Sequence, residues 1–132
     1  MTKALKVVMI VFGAMWVVMG VLQAFFPNVI RAMMNLGEMP DACSPGLYAL
    51  AALGVSLIAG GIFIIIAGTR DIIRNILWVR FAMLWSILFV AIAVFSVLMG
   101  YVAFSQAMGA IITDGVFFIL LMVFYPWGRT ED

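Results

Sequence analysis

Four long runs of apolar residues, separated by short polar stretches, dominate the pattern along this chain. A helix needs about 20 predominantly apolar residues to cross the hydrocarbon core of a bilayer. Four segments satisfy this length, at residues 5–26, 46–68, 76–104 and 109–127. Each is apolar on every face, as expected for helices surrounded by lipid and by one another. The pattern therefore predicts an all-α integral membrane protein, an antiparallel bundle of four transmembrane helices that forms a single domain over residues 1–132.

The first run begins like a signal peptide, since Lys3 and Lys6 precede it. The apolar region of a signal peptide has about 7 to 15 residues and ends in a small-residue cleavage pattern. This run is longer and ends at Pro27 without that pattern, so we expect a retained transmembrane helix. In the connection that follows, residues 28–36 are open to two interpretations, a short helix lying in the membrane interface or an irregular loop.

The basic residues indicate the orientation of the bundle, because Lys and Arg in short loops stay on the cytoplasmic side of a membrane. Six of the seven basic residues fall on one side of the predicted helices, and only Arg31 falls on the other. The six are Lys3, Lys6, Arg70, Arg74, Arg80 and Arg129. We therefore expect a multi-pass protein of the inner (plasma) membrane with both termini in the cytoplasm.

The composition supports the membrane assignment and removes several classes of function. Of the 132 residues, 67% are hydrophobic and 10% are charged, whereas soluble domains are about half apolar and a quarter charged. The net charge of +1 provides no electrostatic attraction for nucleic acid. Histidine is absent and Cys43 is the single cysteine, so the usual metal ligands and the usual general base are missing. We expect no metal site, no cofactor and no enzymatic activity.

Stripes of small residues mark the expected helix contacts, because they let helix backbones approach closely within lipid. They run along the first three predicted helices, mostly at spacings of three and four, which favours a left-handed bundle. The residues expected in the contacts are Gly13, Gly20, Ser56, Gly60, Ser86 and Gly100, with Ala49, Ala52, Ala59, Ala82 and Ala93 beside them. Gly61 and Gly68 lie outside these stripes. They either contact a neighbouring subunit or reflect the ordinary glycine content of membrane helices.

Asp114 is the only acidic residue inside any of the four runs. A carboxylate at bilayer depth costs roughly 2.5 to 3.5 kcal/mol on insertion scales, so we expect it to face protein or water. If its helix starts near Gly109, it lies about 8 Å below the outer surface. The side chains expected near this depth form a polar cluster with it: Thr113, Gln23, Tyr48, Ser96 and Tyr101, with Arg31 as the candidate counter-ion. Arg80 is excluded as a partner, about 27 Å away by the same rise, and is expected to reach cytoplasmic head groups.

Three hypotheses remain open for this cluster. In the first, Asp114 is hydrogen-bonded or protonated and locks its helix against the neighbouring helices, since such bonds contribute about 0.6 to 2 kcal/mol. In the second, the cluster is the polar end of a pocket for a lipid, quinone or other amphiphile that enters from the outer leaflet. In the third, Asp114 carries protons in a small transporter that works as an oligomer.

Several features follow one another in an order that resembles a known group of proteins. A glycine-bearing first helix ends in the sequence from Gly20 to Pro27, a loop helix follows, a small-residue second helix comes next, and Asp114-Gly115 opens the fourth. In this order the chain resembles DoxX-like and related small bacterial four-helix membrane proteins, which are largely uncharacterised. The resemblance covers most of the chain and implies a fold and a membrane location, without a defined chemistry.

These observations predict an accessory, scaffold or amphiphile-binding subunit of the inner membrane. Its expected partners are membrane lipids and either a larger membrane complex or further copies of the same chain, and nucleic acid is not among them. The alternative is the small proton-coupled transporter that depends on Asp114.

Overall fold

The computed structural model of the protein describes residues 2–33 and 45–128 and places five helices in them. The helices are α1 (Thr2–Phe25), α2 (Pro27–Met33), α3 (Pro45–Thr69), α4 (Ile76–Leu98) and α5 (Phe104–Phe124). No strand occurs within the described residues. Of these helices, α1, α3, α4 and α5 are long and apolar enough to cross a membrane. The predicted all-α architecture with four transmembrane-length helices is confirmed.

The first connection contains the short helix α2. Pro27 occupies its first position, where the missing N–H is tolerated because the first N–H groups of a helix have no intrahelical acceptor. Ile30 is fully buried, and α2 packs against α1 and α3. Of the two interpretations of residues 28–36, a helix or an irregular loop, the helix is present and ends at Met33. Residues 34–36 lie outside the described residues.

α1 and α3 pack side by side, and glycines line their contact. A β-carbon added to Gly13 would lie 2.7 Å from the carbonyl oxygen of Gly61, and one added to Gly20 would lie 2.5 Å from that of Gly54. Both distances are shorter than real β-carbons show, so the two backbones touch directly. The contact repeats every seven residues on each helix, the period of left-handed helix packing.

On α3 the glycines in this contact differ from the expected stripe. Gly61 and Gly68, which the sequence left outside the predicted contacts, both face α1 within the same chain. Ser56 instead lies on the exposed face of α3, where its hydroxyl donates to the carbonyl oxygen of Ala52 at 3.0 Å. Gly60 faces a tryptophan ring of α1. Glycines take the contact positions instead of serine or alanine for a steric reason, because the backbones are too close here to leave room for a β-carbon.

An aromatic cluster joins α1 to the second pair of helices, α4 and α5. Phe12 and Trp16 of α1 are buried and meet edge to face, with ring centroids 4.7 Å apart. Phe12 also contacts Phe117 of α5 at 4.5 Å, and Trp16 contacts Trp85 of α4 at 4.8 Å. Aromatic pairs of this kind contribute about 0.5 to 1.5 kcal/mol beyond the area they bury. The two helix pairs are therefore held together through rings, whereas α1 and α3 touch through their backbones.

The turn between α4 and α5 corrects two predicted helix ends. α4 ends at Leu98 and α5 begins at Phe104, instead of residues 104 and 109. Gly100 has a φ of +74°, in the left-handed region that favours glycine. The N–H of Gly100 donates to the carbonyl oxygen of Val97, and the N–H of Tyr101 donates to that of Ser96. This is the hydrogen-bond pattern of a Schellman cap. Gly100 thus ends a helix instead of packing one, and nothing lies within 4 Å of a β-carbon added to it.

Candidate functional site

The earlier start of α5 changes the depth of Asp114. Ten residues separate it from Phe104, the first residue of α5, which corresponds to about 15 Å at 1.5 Å per residue. The predicted depth was about half of this, because it assumed a helix that starts near Gly109. The hydrocarbon core is about 30 Å thick, so a chain that spans it along α5 carries the carboxylate close to the middle of the bilayer.

Asp114 lies on the side of α5 that faces the rest of the bundle. Ala107 and Leu121 are buried on this side, and Ala110 and Phe117 are half-buried. Together with Asp114 they follow the alternating three and four spacing of an inward-facing helix stripe. The opposite side of α5 is exposed at Met108, Ile112, Val116, Ile119 and Val123. The carboxylate is itself half-buried, so it points towards protein, as the cost of a charge in lipid requires.

Among the described residues, no hydrogen bond or ion pair reaches the carboxylate of Asp114. The ion pair found in this part of the chain joins Arg74 to Asp71, at 3.8 Å, and both side chains are exposed. Within the described ranges, no hydrogen bond of Asp114 supports the hypothesis that it locks α5 against its neighbours.

Gln23 lies at a different level from Asp114. The contact between Phe12 and Phe117 sets the relative heights of α1 and α5. Gln23 follows Phe12 by eleven residues, about 16 Å along α1. Asp114 precedes Phe117 by three residues, about 5 Å, and this is the same direction along the bundle because α5 runs antiparallel to α1. The two side chains are thus separated by about 12 Å along the bundle. Gln23 sits at the contact with Gly54, where its side-chain oxygen is buried without a hydrogen-bond partner among the described residues.

The other expected members of the polar cluster are also dispersed. Tyr48 and Tyr101 are 79% and 67% exposed, and the ring of Tyr101 packs on Phe95 instead. The hydroxyl of Ser96 donates to the carbonyl oxygen of Ile92 in its own helix, at 2.7 Å. The structure therefore does not gather these side chains around the carboxylate.

Two further members flank the expected cluster. Thr113 precedes Asp114 on α5 and is half-buried. Arg31 is half-buried on α2, which follows the C-terminal end of α1.

Arg80 lies at the end of the bundle opposite to Tyr101. Its Nε donates to the hydroxyl of Tyr125 at 2.6 Å, and its guanidinium carbon lies 6.0 Å from the centre of that ring. Tyr125 follows Asp114 by eleven residues, about 16 Å of rise. Arg80 is thus committed to a tyrosine at the end of the bundle, and Asp114 lies beyond its reach.

A groove that the sequence pattern did not predict separates α3 from α4. It has a volume of about 670 Å³ and is open on one side. We call it the α3–α4 groove, and its lining residues are Ser56, Ala59, Gly60, Phe63, Leu77, Trp78, Phe81 and Trp85. On the α3 wall three small residues are followed by Phe63, and the α4 wall consists of large apolar residues. The available signal was the spacing of Trp78, Phe81 and Trp85, three and four residues apart, which places three rings on one face of α4.

Ring contacts define the ends and the floor of the α3–α4 groove. Phe63 and Trp78 stack at 5.0 Å with an angle of 7° between their planes, and they close the end nearest the α3–α4 connection. Gly60 lies against the ring of Trp16, since a β-carbon added there would be 3.1 Å from it. The indole of Trp16 therefore packs directly against the backbone of α3, because residue 60 has no side chain.

No protein-family model, curated protein or solved structure matches this chain. The described residues also contain no group of three or more His, Cys, Asp or Glu side chains arranged to hold a metal ion. The resemblance to DoxX-like proteins stays a prediction.

Proposed function

We propose that this protein is a small membrane subunit that binds an amphiphile, with the apolar chain of the ligand in the α3–α4 groove. The observation that carries the proposal is the groove itself, an open apolar cleft walled by tryptophan and phenylalanine rings between two helices of transmembrane length. Its volume falls within the range of about 300 to 1,000 Å³ that is usual for small-molecule sites.

The chemistry of the walls favours a hydrocarbon chain over a polar ligand. Ser56 is the one hydroxyl in the lining, and it already donates to the carbonyl oxygen of Ala52. The indole N–H groups of Trp78 and Trp85 are the remaining side-chain donors in the lining. A ligand with several polar groups would leave most of them unpaired, which costs free energy in an apolar site. A lipid acyl chain or another long apolar tail avoids this cost.

Binding would make the protein an accessory or scaffold subunit that holds a lipid, alone or for a larger membrane complex. The excess of basic residues near the termini and the α3–α4 connection supports an orientation with both termini in the cytoplasm of a cell with an inner membrane. In that orientation the α3–α4 groove occupies the inner half of the bilayer, so the ligand enters from the inner leaflet. The sequence predicted entry from the outer leaflet because it placed a polar cluster around Asp114, and the members of that cluster lie apart in the structure.

Fluorescence quenching by a fatty acid brominated in the middle of its chain tests the proposal, because Trp78 and Trp85 line the groove. We expect saturable quenching with the wild-type protein and weaker, non-saturable quenching with Ala59→Leu, which fills the groove from the α3 side. The matched control is Ala91→Leu, the same change at an exposed position of α4 outside the groove. Equal quenching curves for the two variants would contradict the proposal.

Proton-coupled transport is the second candidate, and Asp114 is the observation that favours it. The carboxylate faces the bundle near mid-membrane depth, and within the described residues no hydrogen bond or ion pair reaches it. Intramembrane acidic residues of this kind often belong to proton pathways. The test is proton flux in proteoliposomes containing a pH-sensitive dye, with Asp114→Asn compared with Asp71→Asn in the exposed connection. Flux that is lost only in Asp114→Asn supports transport, and a change confined to thermal stability argues against it.

A further inference from the structure

A second cavity lies on the other side of α4, at the end of the bundle that carries the α3–α4 connection. It has a volume of about 350 Å³ and is lined by Arg80, Met83, Tyr125 and Trp127. We call it the interfacial pocket. Trp78 faces α3 and the groove, whereas Arg80 faces α5 through its hydrogen bond to Tyr125. The pocket is therefore separate from the α3–α4 groove, and its occupancy is independent of the proposed function.

The aromatic wall of the pocket is held in place by its own contacts. The chain after α5 turns so that the indole N–H of Trp127 donates to the carbonyl oxygen of Met122 at 3.0 Å. The rings of Tyr125 and Trp127 are 4.7 Å apart. Tyr125 is 5% exposed, whereas Trp127 is 63% exposed. One ring is thus buried and fixed, and the other is presented at the surface, as tryptophans at the membrane interface usually are.

Arg80 is oriented by the buried tyrosine and still has donors to offer. The guanidinium carries five N–H donors in a planar fork. The hydrogen bond to Tyr125 uses Nε, and no other hydrogen bond of Arg80 occurs among the described residues. The Arg80 side chain lines the pocket, and the residue as a whole is exposed. A fixed guanidinium with two unused terminal nitrogens is suited to bidentate binding of a phosphate.

We propose that the interfacial pocket binds the phosphate of an anionic phospholipid. The guanidinium of Arg80 pairs with the phosphate, and the ring of Trp127 lies at the head-group level. Leu84 and Ile87 follow Arg80 at i+4 and i+7 and are both exposed, so they continue the same face of α4 as a track for an acyl chain. Basic pockets between transmembrane helices at the cytoplasmic side are known sites for such head groups.

Native mass spectrometry of the delipidated protein measures this binding directly. Phosphatidylglycerol and phosphatidylcholine of the same acyl composition are titrated in separate samples. We expect phosphatidylglycerol to bind roughly tenfold more tightly, and Arg80→Gln to remove that preference, because a charge-assisted bidentate contact accounts for a factor of this size. Arg70→Gln is the matched control, since it removes the same charge from an exposed site without an aromatic wall.

Two variants separate a built site from general charge attraction. Arg80→Lys keeps the charge but loses the planar fork, and Tyr125→Phe keeps the arginine but removes the hydroxyl that orients it. Both should lower the preference at least threefold if geometry matters, and they carry the test if Arg80→Gln does not fold. An unchanged preference in both variants, or an equal loss in Arg70→Gln, would overturn the proposal.

The source of the phosphate is tested with a soluble competitor. Inorganic phosphate or glycerophosphate at millimolar concentration should not displace phosphatidylglycerol if the acyl chain on α4 contributes to binding. Displacement by either soluble anion would show that the pocket takes free phosphate, and the lipid assignment would then be wrong.

Discussion

The glycine contact between α1 and α3 leads to a quantitative prediction for Gly20→Ala. A β-carbon at residue 20 would lie 2.5 Å from the carbonyl oxygen of Gly54 and 2.8 Å from a side-chain carbon of Ile58. Ordinary van der Waals contact begins at 3.4 Å, so the backbone contact falls about 0.9 Å short of it. The carbonyl belongs to a helix and has no rotamer to change. The two helices must therefore separate locally by most of that distance.

Two opposing terms set the magnitude of the change in unfolding free energy. Overpacking a well-packed contact costs typically 1 to 3 kcal/mol, whereas alanine is favoured over glycine by about 1 kcal/mol in a helix interior. The net expectation for Gly20→Ala is a destabilisation of up to about 2 kcal/mol. Gly115→Ala isolates the second term, because nothing lies within 4 Å of a β-carbon added to Gly115 in α5. It should be neutral or up to about 1 kcal/mol more stable than the wild type.

Equilibrium unfolding in mixed detergent micelles, followed by far-ultraviolet circular dichroism, compares the two variants with the wild type. The helix propensity of alanine favours both variants equally, so the difference between Gly20→Ala and Gly115→Ala should equal the overpacking cost, about 1 to 3 kcal/mol. If Gly20→Ala is as stable as Gly115→Ala, the backbones of α1 and α3 are farther apart than the 2.5 Å between a β-carbon on residue 20 and the Gly54 carbonyl oxygen implies.

Three further predictions concern other parts of the chain. Ser86→Ala should leave stability unchanged or raise it by up to about 1 kcal/mol in the same unfolding assay, because the Ser86 hydroxyl is buried without a partner among the described residues. Gly100→Ala should lower stability by about 1 to 2 kcal/mol because of its φ of +74°, and Gly100→Asn should lower it less. Cys43, which falls outside the described residues, should react with an impermeant maleimide in intact cells, and reaction only after the cytoplasmic side is opened would reverse the predicted orientation.

Helix number could be predicted from the sequence, whereas the ends of α4 and α5 could not. A run of about 20 apolar residues determines that a span exists, and all four predicted spans are present as helices. The apolar run, however, continues through the turn at Gly100, so hydrophobicity carries no signal for the end of α4. The signal is conformational, since one glycine adopts a positive φ. The error of five residues at the start of α5 moved Asp114 by about 7 Å along the membrane normal and changed its expected neighbours.

The packing partners of α3 could be predicted only in part, for a related reason. A stripe of small residues on a membrane helix has two uses, contact with another helix or exposure to lipid, and the sequence does not distinguish them. Ser56 and Ala59 follow the same spacing rule as real contact residues, yet both are exposed. The heptad from Gly54 to Gly61 and Gly68 matches Gly13 and Gly20 in residue type and period. A search for matching periods on two helices, rather than small residues on one, would have found the contact.

α1 contacts α3 and α4 in different ways, and this difference affects how a bound ligand would act. Gly20 and Gly54 join α1 to α3 through backbone contact, which resists sliding because carbonyl groups fixed in helices cannot repack. α4 is attached to α1 through side chains such as Trp16 and Trp85, whose rings have alternative rotamers. The α3–α4 groove and the interfacial pocket lie on two sides of α4. Occupancy of either site would therefore act on α4, whose contact with α1 is made by side chains, and would leave the backbone contact between α1 and α3 unchanged.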